Sequence, residues 1–388
     1  MQPFRDGQTF AADIALAVNR SLDLPTLRCS VDDCVTRAVR DPRVQQAERI
    51  LMGGSGDSLF AAIGVAHAFR RWSGLPTEAR AALELARYDV PLLQARDLVI
   101  SISNSGNSSR ARETIRLAKD RGAPTIGVTG SLTGALAREA DLVIHRPVHE
   151  QIGLPGHYGR CLLNLAEYLA VLYALYALAL ALGVRRGRLT AEAQAAQLGR
   201  IERAIEAQAD IARRIEQGAA GLAAALGDID TIWAVGAGPG QGSARYSAAK
   251  FHEQMPINGI AQDLEEWAHL EYFLTLKWGA RSVALVIAPS GNSLDRAVEV
   301  VQGIGTAGGR AIVIHCGSGT QFSRAFAQLD LGYEIEEWLS PLIYHLAAQL
   351  LVLHMAARAG IPHIPLRRAD GGWLIAQGMV RERASELR

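Results

Sequence analysis

The sequence predicts an α/β protein made of two tandem three-layer α/β/α units, each built on a mainly parallel sheet. Three observations lead there: runs of continuous apolar residues, small-residue loops directly after them, and recurrence of that pattern in the second half of a 388-residue chain. Continuous apolar runs mark strands buried on both faces, which is the condition of a parallel sheet covered by crossover helices. A chain of this length also exceeds what one hydrophobic core usually serves.

Residues 1–40 read as an N-terminal helical segment, 41–184 as the first unit, 185–227 as a helical connection, and 228–388 as the second unit with its tail. In the first unit Arg49-Ile50-Leu51-Met52 leads into Gly53-Gly54-Ser55-Gly56-Asp57-Ser58 and a helix-like stretch through Ala62 and Ala66. Its counterpart is Ile232-Trp233-Ala234-Val235, then Gly236-Ala237-Gly238-Pro239-Gly240 and a helix carrying Ala244, Ala248 and Ala249. Each half continues with a second strand that ends in a small polar loop. Asp97 to Ile102 precedes Ser103-Asn104-Ser105-Gly106-Asn107-Ser108, and Val283 to Ala288 precedes Pro289-Ser290-Gly291-Asn292-Ser293. Third strands are expected at Pro124 to Thr129 and Ala311 to His315, and fourth strands at Asp141 to Ile144 and Leu331 to Ile335. Between the halves, an Ala- and Arg-rich stretch with few breakers has helical periodicity.

Composition excludes several classes. Basic and acidic residues nearly cancel, and no basic block or acidic tail is present to recruit nucleic acid. Cys29, Cys34, Cys161 and Cys316 lack metal-ligand spacing and are too few for a disulfide scaffold, so they read as reduced thiols in a cytoplasmic protein. The N-terminus does not resemble a secretory leader. Tyr168 to Val184 is almost wholly apolar but short of the ~20 residues that span a bilayer, so a buried helix is expected and no membrane partner. Gly54-x-Gly56-x-Ser58 does not complete a dinucleotide fingerprint, and His145, His149, Glu150 and His157 fit no metal-ligand motif. No cofactor or metal is therefore expected.

The loops after the strands carry the chemistry. In doubly wound sheets ligands bind beyond the carboxyl ends of strands, where backbone N–H groups and helix N-termini face outward. Ser103, Asn104, Ser105 and Ser108 offer hydroxyl and amide groups, Gly106 admits unusual dihedrals, and the following helix favours an anion. A phosphate monoester suits such a loop. Serine, asparagine and glycine also serve as plain turn-formers, but two copies in register argue for more.

The paired pattern of Gly54-x-Gly56-x-Ser58, then Ile102 to Ser108, then the second-half copy, resembles the sugar isomerase (SIS) domain family over most of the chain. Its layout is similar to the isomerase half of glucosamine-6-phosphate synthase and to phosphosugar isomerases, deaminases and deglycases with two tandem SIS units. The resemblance implies binding of a phosphorylated sugar or amino sugar by Gly54, Gly56, Ser58, Ser103, Asn104, Ser105, Ser108, Pro155 and Gly156, in a homodimer with shared sites. In the family one region reads roughly K-x-x-E and then E-[LFW]-x-H, and here Lys250, Glu253, Glu266 and His269 stand in those places. Glu253 thereby matches the catalytic glutamate that moves a proton between C1 and C2. His269 matches the histidine credited with ring opening, in many members donated by the neighbouring subunit, and Lys250 is a supporting residue. The chemistry agrees independently, since interconversion through an enediol needs a base at carbon and an acid–base partner at oxygen.

Two departures bear on the activity. The synthase uses a lysine near its C-terminus to form a Schiff base, and this chain has no lysine after Lys277. Its tail offers Arg367 and Arg368, which suit phosphate contact instead. No glutamine-hydrolysing segment precedes the first unit in this sequence, so synthase activity in one chain is not expected. Two readings follow: a phosphosugar aldose–ketose isomerase or amino-sugar-phosphate deaminase or deglycase working through an enediol or enamine, or a non-catalytic sugar-phosphate-binding regulator. Glu253 together with His269 favours the enzyme.

Overall fold

The computed structural model of the chain describes residues 9–149 and 159–361. Two five-stranded sheets form, and every strand pairing in both is parallel. The first contains β1 (Arg49–Gly54), β2 (Thr77–Ala81), β3 (Asp97–Ser103), β4 (Thr125–Thr129) and β5 (Leu142–His145), in the order β2-β1-β3-β4-β5. The second contains β6 (Thr231–Gly236), β7 (Asn258–Asp263), β8 (Val283–Ile287), β9 (Arg310–His315) and β10 (Ala327–Asp330), in the order β10-β9-β8-β6-β7. Numbered within its own half, each order is 2-1-3-4-5, so the sequence repeat is a repeat of topology. The α/β class and the two parallel-sheet units are as the sequence predicts.

Burial explains which strands were legible. Every residue of β3 and of β8 is buried, and their alternate side chains fill both faces of the sheet. Burying each Val, Leu or Ile contributes roughly 1.5–3 kcal/mol. Around β8 the core joins Trp233, Val235, Val286, Val301, Ile304 and Val313, with Trp278 tilted against Trp233 at 5.7 Å between ring centroids. Around β3 it joins Leu51, Leu85, Val90, Val99 and Ala118. The strands β2 and β7 escaped the sequence reading because each is an edge strand with the polar sequence Thr-Glu-Ala-Arg-Ala or Asn-Gly-Ile-Ala-Gln-Asp.

One expected strand is corrected. The second half's fourth strand runs over Ala327–Asp330 and not over Leu331 to Ile335. Asp330 ends it, because its Oδ1 accepts from the Gly332 N–H at 2.9 Å and the Gly317 N–H at 3.1 Å, and Gly332 turns the chain at φ +62°. That turn leaves the following apolar residues out of the ladder.

The described chain divides into two compact units. One holds the first sheet, with residues 19–149 and 164–202; the other holds the second sheet, with residues 9–18, 159–163 and 203–361. The short helix Ala11–Leu16 thus belongs with the second sheet. The Glu216 carboxylate accepts from the Phe10 and Ala11 N–H groups at 3.1 and 2.9 Å and meets His354 Nε2 at 2.6 Å, which satisfies the start of that helix. Two stretches are long and apolar enough to cross a membrane, Gly159–Arg185 and Glu337–Ala359, and their most apolar windows are 94% and 100% buried within the structure.

Candidate active site

A sheet ordered 2-1-3-4-5 reverses direction between its first and third strands, and the loops that leave those strands flank the crevice. In the first unit these are the turns after β1 and β3. After β1, Gly54 has no room for a side chain, since a Cβ would stand 2.9 Å from the Leu59 nitrogen, and Gly56 takes φ +56°. The helix Asp57–Ser73 starts at once, with Ser58 in its first turn and no side chain capping its N-terminus.

After β3 the chain makes a tightly bonded loop. The Ser103 hydroxyl lies 3.0 Å from that of Ser108, and the Ser108 N–H reaches Ser103 Oγ at 3.4 Å. The Asn104 carbonyl accepts from the Gly130 N–H at 3.0 Å and from Thr129 Oγ1 at 3.2 Å. Gly106, at φ +68°, lies against Gly134, where a Cβ would come within 3.1 Å of the Gly134 Cα, and its carbonyl accepts from the Leu136 N–H at 2.8 Å. Asn107 Oδ1 accepts from the Ala135 N–H at 3.1 Å. Ser105 and Ser108 stay exposed at the mouth, and the helix Ser109–Asp120 begins there with no side-chain cap. An uncapped helix N-terminus ringed by hydroxyls suits a phosphate.

The copy in the second unit is different. There the Asn292 N–H donates to Glu337 Oε2 at 3.0 Å, and Glu337, only 8% exposed, crowds the Cα of Gly291. An internal carboxylate already sits on that loop. The repeat is one of fold, and the bonding within the two loops differs.

The residues that the sequence offers for acid–base work lie in the second unit. The helix Gly240–Gln254 carries Lys250 and Glu253, and Lys250 Nζ lies 2.8 Å from Glu253 Oε2. The Lys250 side chain is fully buried while that of Glu253 keeps 36% of its surface exposed. The ammonium also stands over the Tyr246 ring, 4.4 Å from its centroid. Tyr246 donates its hydroxyl to Gln349 Oε1 at 3.1 Å and meets His345 edge-on at 5.2 Å. Gln254 and Gln349 both turn their amides to the Cys161 sulfur. Burial pushes the Cys161 thiol up to about 12 and drops the His345 imidazole to about 4, so a protonated thiol and a neutral ring flank the pair at neutral pH. Sequence reasoning missed Tyr246, His345, Gln349 and Cys161. Tyr246 alone left a signal, four residues before Lys250 on the same helix.

His269 sits in a π-helical turn, Trp267–Glu271, and its side chain is 68% exposed. Its Nε2 lies 3.0 Å from Glu265 Oε1, and Glu265 also accepts from Arg296 Nε at 2.6 Å. Arg296 first and His269 second hold the Glu265 carboxyl below its usual range. The Asp263 carboxylate caps this segment through the Glu265 and Glu266 N–H groups at 2.8 and 3.3 Å. His269 is therefore held outward on a fixed support, beside exposed Leu270, Phe273 and Leu276.

Pro155, Gly156, Arg367 and Arg368 lie outside the described residues. Among the described residues no group of three or more His, Cys, Asp or Glu is placed to hold a metal. His145 lies 3.1 Å from Ser30 Oγ, and His149 lies 3.6 Å from Asp23.

Comparison with known proteins shows what the fold is similar to. Residues 44–181 match the SIS domain family, so the first unit is a SIS domain, and the second repeats its strand order. The chain is similar to known proteins over most of its length. It is 27% identical over 319 residues to glutamine–fructose-6-phosphate aminotransferase (isomerizing) of Methanothermobacter thermautotrophicus, a match covering 82% of this chain and 50% of that protein. The chain thus spans about half the length of the curated relatives it matches over most of its residues. In fold it is similar to the C-terminal domain of glucosamine-fructose-6-phosphate aminotransferase from Francisella tularensis, with a TM-score of 0.74 at 17% identity over 93% of this chain and 99% of that one. Glucosamine-6-phosphate deaminase from Thermotoga maritima follows, with a TM-score of 0.61 at 20% identity over 86% and 96%.

Proposed function

We propose that the chain is an enzyme that isomerises a phosphorylated sugar, or removes nitrogen from an amino-sugar phosphate by the same enediol or enamine chemistry. The observation that carries this reading is the Lys250–Glu253 pair, a partly exposed carboxylate 2.8 Å from a buried ammonium. A charged carboxylate is the form that can accept a proton from carbon. Glu253 would take the proton alpha to the carbonyl of the opened sugar and return it to the neighbouring carbon. His269, kept in place by Glu265, would exchange the proton at oxygen and open the ring.

The phosphate would be held by Ser103, Asn104, Ser105 and Ser108, with Gly54, Gly56 and Ser58 shaping the adjoining turn. The names of the similar proteins, which act on fructose 6-phosphate and glucosamine 6-phosphate, support a hexose or amino-hexose 6-phosphate as substrate. A homodimer is supported by two exposed apolar faces that follow the edge strands β2 and β7: Leu83, Tyr88 and Leu92 in one unit, Leu270, Phe273 and Leu276 in the other. Because His269 adjoins the second face, it would serve the partner's site. Four cysteines without a disulfide among the described residues fit a reducing, cytoplasmic setting.

A panel of hexose and amino-hexose 6-phosphates tests the reading. Aldose–ketose conversion identifies an isomerase, and ammonia or amino-acid release identifies a deaminase or deglycase. Tight binding of a panel member without turnover would replace the enzyme by a sugar-phosphate sensor.

A further inference from the structure

Arg146 follows β5 and is fully buried, one of the largest side chains in the protein with no exposed surface. Its Nη2 donates to Asn104 Oδ1 at 2.8 Å and its Nη1 to the Glu167 carbonyl at 3.4 Å, while Nε has no partner among the described residues. Burial lowers the guanidinium to about 10, with the Glu167 charge opposing the drop, so it stays protonated at neutral pH. A buried cation whose donors are not all satisfied opposes folding unless an anion comes near it.

The contact with Asn104 has a chemical consequence. A guanidinium has donors only, so the oxygen of the Asn104 amide must face it, and the two N–H donors are turned the other way. The Asn104 oxygen also has the Gly130 backbone against it, where a Cβ would come within 2.8 Å, so the amide is pinned from a second side. The geometry points to Arg146 as a positioning residue of the anion site, which fixes the Asn104 amide with its donors toward the loop and places a permanent positive charge behind it. This rests on the reading that the Ser103–Ser108 loop takes the phosphate. Arg146 does not touch the ligand in this account and acts through Asn104.

Inorganic phosphate, which carries no sugar stereochemistry, is the probe, with affinity read by calorimetry and folding by thermal melts. The intact chain binds phosphate, and Arg146→Gln weakens that binding by about tenfold to a hundredfold, as expected for loss of a charge-assisted contact. Arg146→Lys restores part of it. Asn104→Ala weakens binding similarly, and the double variant is no worse than either single one, because the two residues act as one unit. Asn104→Asp leaves Arg146 in place and serves should Arg146→Gln not fold: its melting temperature rises, since the buried cation gains a carboxylate, while phosphate binding is lost. A folded Arg146→Gln with unchanged affinity, additive effects in the double variant, or a lowered melting temperature in Asn104→Asp overturns the role of Arg146 and leaves the loop's phosphate reading intact. An intact chain that does not bind phosphate overturns both.

Discussion

The Lys250 ammonium is fully buried and lies 2.8 Å from the Glu253 carboxylate, one helical turn further along. The two charges depend on each other. Removing the carboxylate takes away the anion that stands 2.8 Å from the buried ammonium. Glu253→Gln should therefore lower stability by about 1–3 kcal/mol, less than a fully buried pair because Glu253 is partly solvated. Adding Lys250→Met to that variant should recover most of the loss, and a denaturant melt of the three chains checks it. A double variant less stable than Glu253→Gln would mean that the pair is not coupled.

The two Ser-Gly loops should respond differently to substitution. Ser105→Ala and Ser108→Ala at the open loop are expected to raise KM for a sugar phosphate by roughly tenfold for each lost contact, with little change in melting temperature. Glu337→Ala frees the Asn292 N–H from its internal carboxylate and should cost about 1–3 kcal/mol of stability while leaving KM unchanged. A KM that rises with Glu337→Ala as much as with Ser108→Ala would give both loops the same task.

Stability should fall in mild acid through His345. Its ring is buried, donates Nδ1–H to the Pro341 carbonyl at 2.9 Å, and is held down to about 4 by burial, with the Lys250 charge adding to the drop. The unfolded chain then binds a proton that the folded chain does not, so this contribution is fully present above about pH 6.5 and is lost as pH falls toward 4, at most roughly 3 kcal/mol. Melting curves from pH 7.5 to 4.5 should show the decline, and His345→Asn should flatten it.

The thiols should differ in reactivity. Cys29 is exposed, whereas Cys161 is buried, bonded to two glutamine amides and pushed up to about 12. Alkylation of the folded protein followed by peptide mass mapping should label Cys29 and spare Cys161. Early labelling of Cys161 would contradict the packing around Lys250.

What the sequence showed and what it hid have physical reasons. Strands such as β3 and β8 are buried on both faces and read as unbroken apolar runs. By contrast β2 and β7 meet a neighbour on one side only, and their polar residues carry no such signal. The candidate site divides in the same way. Ser103 to Ser108, Lys250, Glu253 and His269 are contiguous or regularly spaced, so a pattern finds them. Arg146, Glu337, His345 and Gln349 reach their partners from distant segments, and only the fold brings Arg146 to Asn104 or Glu337 to Asn292.

The most direct test of the central claim is deuterium incorporation at C1 and C2 of fructose 6-phosphate, glucose 6-phosphate and glucosamine 6-phosphate in heavy water, followed by NMR. The intact chain should exchange solvent deuterium into at least one of these sugars, and folded Glu253→Gln should slow that exchange by about 10²–10⁴-fold. Exchange that persists in folded Glu253→Gln would remove Glu253 from the chemistry. Binding of these sugars with no exchange by the intact chain would contradict the enzyme reading itself.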